Sequence, residues 1–269
     1  MDIAQAFIHG TLIIIRRNRK VIDMFSGKIE DYILFEDKDI IVCRKPAGLA
    51  VQNARIGAMD MESCLKNYLA VKAGGRSIPY LAVIHRLDQP VEGILVFGKT
   101  PKAAKGLSAQ ITAGKMEKIY LAVTYGMPPA LGDDCTVLEN YLKKDGKSNT
   151  SAVVDKNTPG AKCARLSYEV LDEARDRITD SKKWLLRIHL DTGRHHQIRV
   201  QMAHAGMPLA GDRKYGAGTD GAIGAGGLAL CAASLTFSHP VTGKEMKFET
   251  RPEGAEFADF FKHALTSFC

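Results

Sequence analysis

Apolar residues in this chain come mostly in short runs broken by turn residues, which is the pattern of strands. Tyr32-Ile33-Leu34-Phe35 and Ile40-Ile41-Val42-Cys43 flank Glu36-Asp37-Lys38-Asp39 and read as a hairpin. Lys45-Pro46-Ala47-Gly48 then breaks the strand. Tyr80 to Ile84 is a further apolar run. It leads into Arg86-Leu87-Asp88, with Arg86 and Asp88 on one face of a strand that ends at a Pro/Gly-bearing loop. Ile94 to Phe97, Ile119 to Thr124, Leu166 to Leu171, Trp184 to Leu190, Leu228 to Phe237 and Glu245 to Glu249 read as further strands.

Helical spacing is rarer. Leu65, Tyr68, Leu69 and Val71 mark a helix over 63–72. Thr100-Pro101 is an N-cap and first-turn pair, Ala104, Leu107 and Ile111 form the buried stripe behind it, and Gly114 ends that helix. A third helix is expected from about 194 to 205. Asp191-Thr192 caps it, Ile198, Met202 and Ala205 face inward, and Gly206 terminates it. Residues 127–162 are polar and rich in Gly, Pro and Lys, and read as an irregular insertion; 216–227 read as a Gly-rich surface loop. Strands outnumber helices without a βαβ repeat. The expected class is therefore α+β, with a mixed, largely antiparallel central sheet and flanking helices and loops. Residues 1–30 read as an N-terminal extension carrying the basic cluster Arg16-Arg17-Asn18-Arg19-Lys20, and 31–269 as the main domain.

With 269 residues and 45 % hydrophobic content, a sizeable core is available. The net charge of +7 favours a polyanionic partner. None of the six cysteines forms a CxxC pair; Cys43, Cys163 and Cys231 lie in apolar runs, which suits reduced thiols and a cytoplasmic protein. The start lacks a basic n-region, and no apolar run is long enough to span a membrane.

Two motif matches fail on physical grounds. Gly93 to Thr100 fits G-x-x-x-x-G-K-[ST], but its four central residues are Ile, Leu, Val and Phe. They favour a buried extended strand over a loop that curls its amides around phosphate. Gly216 to Gly221 fits G-x-G-x-x-G but neither follows a strand nor opens a helix.

Asp88 is the leading candidate for chemistry, although an aspartate after a strand is more often a cap or an ion pair. Arg194 at the start of the third helix opposes the helix dipole, a local cost that fits an anionic partner or a salt bridge. Arg199 lies a turn further on, where a structural ion pair is the plain explanation. Lys118 and Tyr120 share one strand face; core packing is the plain explanation for Tyr120. Adjacent His195 and His196 would point about 100° apart on a helix, with His204 further on, so they make a poor chelate and no metal is expected.

His85-Arg86-Leu87-Asp88 followed by Gly93 to Thr100 resembles the catalytic motif of the RluA family of pseudouridine synthases. Arg44 to Leu49, Lys118 to Ala122, Gly193 to Val200 with Gly206 to Leu209 and Gly211-Asp212, and Ala232 to Pro240 resemble four more motifs of that family, in order, over about 31–252. The resemblance implies the pseudouridine synthase fold and an RNA-uridine isomerase that needs no metal or cofactor. It implies that Asp88 is the catalytic carboxylate, as nucleophile at the base or as base at the ribose. Tyr120 would contact the flipped uracil, and Arg199 would pair with Asp88 and keep it charged. Arg86 would fill the gap left by the extruded nucleotide, with Lys118, Arg194, His196 and Gln197 as RNA contacts. Ribosomal and transfer RNA are both open as targets, and a monomer is expected. A silent RNA-binding protein of the same fold, acting in ribosome assembly, is the alternative.

The sequence departs from the family pattern at Val91-Glu92, where Thr-Ser is usual, at His195, where Thr is usual, and at Cys231, where His is usual. A glutamate in the cleft would repel phosphate, so Glu92 either faces away or alters RNA preference. No S4-type domain is evident in 1–30, which leaves RNA grip to the catalytic body, the 16–20 cluster or the 127–162 segment.

Overall fold

The computed structural model describes residues 4–8, 11–15, 28–53, 58–75, 78–128, 135–176, 180–216 and 227–261. The basic cluster at 16–20 and the glycines of 217–226 lie outside them. Strands β1 (Ala4–Ile8) and β2 (Thr11–Ile15) form an antiparallel hairpin of their own. The remaining strands are β3 (Ile33–Glu36), β4 (Ile40–Lys45), β5 (Ala82–Val83), β6 (Glu92–Gly98), β7 (Glu117–Tyr125), β8 (Thr136–Asp145), β9 (Thr150–Val154), β10 (Lys162–Arg175), β11 (Lys182–Leu190), β12 (Leu230–Ser238) and β13 (Glu245–Glu249). They make one 11-stranded sheet in the order β3-β4-β6-β12-β7-β11-β10-β8-β9, with β13 on β12 and β5 on β6. The β6–β12 pair is parallel and the other pairs in the sheet are antiparallel. Helices α1 (Met61–Lys72), α2 (Pro101–Thr112) and α3 (Gln197–His204) pack against it. The expected α+β class with a mixed, mainly antiparallel sheet is therefore what the chain forms.

The unbroken apolar run of β6 follows from its place in the sheet. Leu95 and Phe97 enter a core shared with Leu65 and Leu69 of α1, while Ile94 and Val96 enter a second core under Ala103 and Leu107 of α2. Both faces are covered, so alternation disappears. Each of these side chains contributes about 1.5–3 kcal/mol by burial. Gly93 is required by close packing: a Cβ there would lie 2.4 Å from the Ala232 carbonyl oxygen, at a φ of +126°. The phosphate-loop pattern is thus a buried strand whose first glycine admits the backbone of β12.

Helix α2 begins at Thr100, whose side chain accepts from the Ala103 N–H at 3.1 Å. Its innermost residues are Ala103 and Leu107; Ala104 is only partly covered and leans on Gly98. Helix α1 starts at Asp60, whose carboxylate accepts from Ser63 N–H at 2.8 Å.

Three expectations are corrected. The segment 127–162 holds the β8–β9 hairpin, paired to β10 from Thr136 to Leu142. Its apolar signal is weak because most of the hairpin is exposed: Leu142 is the one fully buried residue of β8, and Ser151 that of β9. The run before Asp88 is in strand only at Ala82–Val83, so Arg86 and Asp88 lie in an irregular loop instead of on a strand face. Helix α3 begins at Gln197, after a residue, His196, in left-handed conformation at φ 53°. Arg194 therefore precedes the helix instead of standing in its first turn, and His195 and His196 lie before its first helical residue.

Candidate active site

The loop carrying Asp88 is fixed from below. Leu87 is buried in the core, which turns its neighbours Arg86 and Asp88 outward. The turn that follows closes through Val91 N–H to the Asp88 carbonyl at 3.0 Å. Gly48 N–H donates to the Gln89 carbonyl at 2.9 Å, and Gln89 Nε2 donates to the Gly48 carbonyl at 3.0 Å. Beneath this seam Lys45 is fully buried, with Nζ donating to the carbonyls of Pro46 at 2.9 Å, Leu49 at 2.7 Å and Gln89 at 3.1 Å. Burial pushes its ammonium down to about 7, against the attraction of Asp88. The Lys-Pro segment is thus a staple for the turn that carries Asp88.

Asp88 opens into a cavity of about 780 Å³, lined by Arg86, Lys118, Tyr120, Lys144, Arg194 and Arg199 among others. Arg199, on the buried face of α3, donates from Nη1 to Asp88 Oδ2 at 3.2 Å. Its other donors are taken by Asp212, from Nε to Oδ2 at 2.8 Å and from Nη2 to Oδ1 at 2.7 Å. Asp212 is 2 % exposed, and the guanidinium holds its carboxyl below the usual range in spite of burial. The Arg199 guanidinium also lies over the Tyr215 ring, 5.2 Å from its centroid. His196 Nε2 faces Asp88 Oδ2 at 3.5 Å. Burial pushes its imidazole down to about 4, so it is neutral near pH 7.

Tyr120 is buried on β7. Burial, and then the Asp88 charge, push its phenol up, so the hydroxyl keeps its proton. Lys118, two residues earlier on the same face, is partly covered at the cavity wall; burial lowers its pKa, opposed by Asp191. Asp191 is another carboxylate of the lining, and it is engaged with His189 Nδ1 at 3.1 Å and Arg165 Nε at 3.1 Å. Arg86 and Arg194 are exposed at the rim, with Arg194 Nε donating to the Cys163 carbonyl at 2.7 Å.

The fold therefore brings Asp88, Tyr120, Arg199, Arg86, Lys118, Arg194 and His196 to one cavity. Gln197 also reaches its wall, but both ends of its amide are committed within the protein. Its Oε1 accepts from Thr192 Oγ1 and Arg194 N–H, and its Nε2 donates to the Arg165 carbonyl. These bonds shape the 192–197 loop. Glu92 faces away from the cavity and accepts from Glu253 N–H at 3.0 Å and Gly254 N–H at 3.0 Å. Burial raises its pKa. Cys231 lies fully buried opposite Glu92 across the β6–β12 pair. Sequence reasoning gave no role to Asp212, Tyr215 or Lys144. The signal for Asp212 was available: a buried arginine needs a counterion, and Gly211-Asp212 belongs to the same family motif as Arg199.

Outside the cavity, Asp37, Asp39 and His239 place three potential metal-ligand atoms within 4.8 Å of one another. The N–H groups of Val241 and Thr242 donate to His239 Nδ1, so Nε2 carries the ring proton and gives it to Asp37 Oδ2 at 2.9 Å. That hydrogen bond clasps two turns together and occupies the nitrogen a metal would need.

The architecture is shared with solved pseudouridylate synthases. Human RNA pseudouridylate synthase domain containing 4 superposes with a TM-score of 0.65 at 21 % identity, over 84 % of this chain and 90 % of that one. The family model described as RNA pseudouridylate synthase matches residues 39–204. Among curated relatives, the "uncharacterized RNA pseudouridine synthase YlyB" of Bacillus subtilis is 31 % identical over 234 residues, spanning 86 % of this chain and 72 % of its own length. The ribosomal large subunit pseudouridine synthase D of Pseudomonas aeruginosa is 34 % identical over 241 residues, 85 % of this chain and 70 % of its own. The chain belongs to the RNA pseudouridylate synthase family, in its RluA branch, and is an isomerase of that class.

Proposed function

We propose that this protein converts specific uridines of ribosomal RNA to pseudouridine, with Asp88 as the catalytic carboxylate. The observation that carries the reading is the Asp88–Arg199 contact of 3.2 Å at the floor of a cavity rimmed by Arg86, Lys118, Lys144 and Arg194. A carboxylate among cations is poorly suited to contact phosphate by itself. It is well suited to act on a base that has left its stack while the cations hold the backbone. The ribosomal target is favoured over transfer RNA by the name of the Pseudomonas relative.

In the reaction the C1′–N1 glycosidic bond breaks, the uracil turns, and a C1′–C5 bond forms. C5 then loses its proton to solvent and N1 gains one. Arg199 aims the Asp88 carboxylate, whether it attacks the base or takes a proton from the ribose. Tyr120, held as a neutral phenol, packs on the uracil and relays the C5 proton instead of acting as a phenolate. Arg86 props the gap in the RNA, and Lys118 and Arg194 bind phosphate. The reaction is redox-neutral and conserves atoms, and these residues supply its acid, base and electrostatic needs. We take 31–269 as the catalytic unit, 1–30 as an extension, and the protein as a cytoplasmic monomer. Among the described residues no helix is long and apolar enough to cross a membrane.

The test is release of tritium from RNA labelled at C5 of uridine. Wild type releases tritium and Asp88→Asn does not, while still binding RNA and keeping its circular dichroism spectrum. Release by a folded Asp88→Asn variant would overturn the assignment. RNA binding without release by wild type would favour a silent assembly factor.

A further inference from the structure

The tip of the β8–β9 hairpin is tied to the 192–197 loop at the cavity wall by His195, the residue that stands where the family pattern has threonine. Its Nε2 bonds Asn149 Oδ1 at 3.1 Å, and its Nδ1 bonds Ser151 Oγ at 2.9 Å. The amide oxygen only accepts, so Nε2 carries the proton and Nδ1 accepts from the serine hydroxyl. The ring stacks on His196, 3.8 Å between centroids and 24° between planes. Two more bonds secure the same tip. Tyr215 Oη accepts from Ser151 N–H at 2.8 Å while bonding His196 Nδ1 at 2.7 Å, and Lys214 Nζ donates to the Asn149 carbonyl at 2.9 Å.

The strand register gives this tie a consequence. Ser151 stands directly opposite Lys144 in the β8–β9 ladder. Lys144 lines the uridine cavity and also a second cavity of about 350 Å³ beside it. The second cavity has Lys143, Lys144, Lys162 and Arg194 in its wall and no carboxylate among its lining residues. A groove of one charge sign that shares Lys144, Gly193, Arg194 and His195 with the first cavity is shaped for a polyanion.

We infer that His195 is a positioning and specificity-determining residue. It latches the β8–β9 hairpin so that Lys144 stands at the junction of the two cavities, where it holds the phosphodiester of the RNA strand flanking the target uridine. The inference rests on the placement of the target base beside Asp88.

The experiment is steady-state tritium release from a C5-labelled transcript of large-subunit ribosomal RNA, using full-length wild type, His195→Ala, His195→Gln, Lys144→Ala and the His195→Ala/Lys144→Ala double variant. Each alanine variant raises KM about fivefold, the loss of one hydrogen-bonded or phosphate contact, with kcat little changed. The double variant raises KM no further than the larger single effect, because an untethered Lys144 is already lost. His195→Gln, which supplies one acceptor and one donor, restores KM. Lys144→Ala also lowers the slope of log KM against log salt by about one phosphate contact. Multiplicative effects in the double variant, or a fall in kcat at constant KM in His195→Ala, would overturn the latch. Lys144→Ala alters only an exposed residue, so an unchanged KM and salt slope in that variant overturns the phosphate contact even if the His195 variants misfold. An active Asp88→Asn control would instead locate the failure in the catalytic assignment.

Discussion

Arg199 reaches Asp88 with the one nitrogen that Asp212 leaves over: Nε and Nη2 are bound by Asp212 at 2.8 and 2.7 Å, and Nη1 meets Asp88 at 3.2 Å. The fork is anchored at its buried end and presents its remaining edge to the cavity. A guanidinium can divide its donors in this planar way and an ammonium cannot. The first prediction concerns this anchor. Asp212→Ala leaves a buried arginine without its main counterion and lowers stability by about 3–5 kcal/mol. Urea denaturation measures the loss. Arg199→Lys fails to restore turnover even where it folds, and recovery of wild-type rates by lysine would refute the shared-fork argument.

Tyr120 lies in the core, so removing its hydroxyl changes little packing. Tyr120→Phe keeps the melting temperature within a few degrees and lowers kcat about 10²-fold, the usual scale of a lost proton-transfer group, with KM little changed. A KM effect with normal kcat would mean that the hydroxyl binds RNA and takes no part in the chemistry.

Gly93 and Lys99, the first glycine and the lysine of the phosphate-loop pattern, separate structure from nucleotide chemistry. A Cβ on Gly93 would lie 2.4–2.7 Å from backbone atoms of Ala232, so Gly93→Ala destabilises the fold by about 3 kcal/mol. Lys99 Nζ is bound to Glu36 Oε1 at 2.7 Å and to the Asp37 carbonyl. Lys99→Ala therefore costs about 1 kcal/mol of stability and leaves tritium release intact. ATP or GTP binding that vanished in this variant would revive the nucleotide reading.

Acid sensitivity follows from two imidazoles. Burial is the first cause that pushes both His85 and His196 down to about 4, from an ordinary value of 6.5. Between those values the unfolded chain binds protons that the folded chain refuses. Their contribution to stability is thus whole above pH 6.5 and declines as pH falls toward 4. Urea midpoints at pH 7 and pH 5 should show the decline. His85→Gln, which keeps an acceptor for the Val96 N–H that His85 Nε2 now bonds at 3.3 Å, should flatten part of it. An equal decline in the variant would remove His85 from the account.

Residues whose partners lie nearby in the chain were legible in the sequence. Thr100-Pro101, the hairpin around Asp37, the doubly buried run of β6 and the Lys118/Tyr120 strand face each follow from local propensity or from a period of two, and each takes the form expected. The collinear motifs carried the family and with it the fold. The β8–β9 hairpin was missed because an edge element with most of its surface in water has almost no hydrophobic period to read.

The sequence by itself determined the class of the sheet, the family, and the identity of the carboxylate, tyrosine and arginine that meet in the cavity. Tertiary structure alone decided what each of them faces. Leu87 entering the core turned Asp88 outward without a strand to hold it. The left-handed backbone at His196 ended the loop where a continuous helix was expected and set that ring against Asp88. Glu92 was turned to the backbone of residues 253–254, and Asp212 was brought under Arg199. The physical reason is range. Propensity and period act over a few residues, whereas the partner of a buried charge is set by desolvation, which the chain satisfies with whatever group folding brings within about 3 Å.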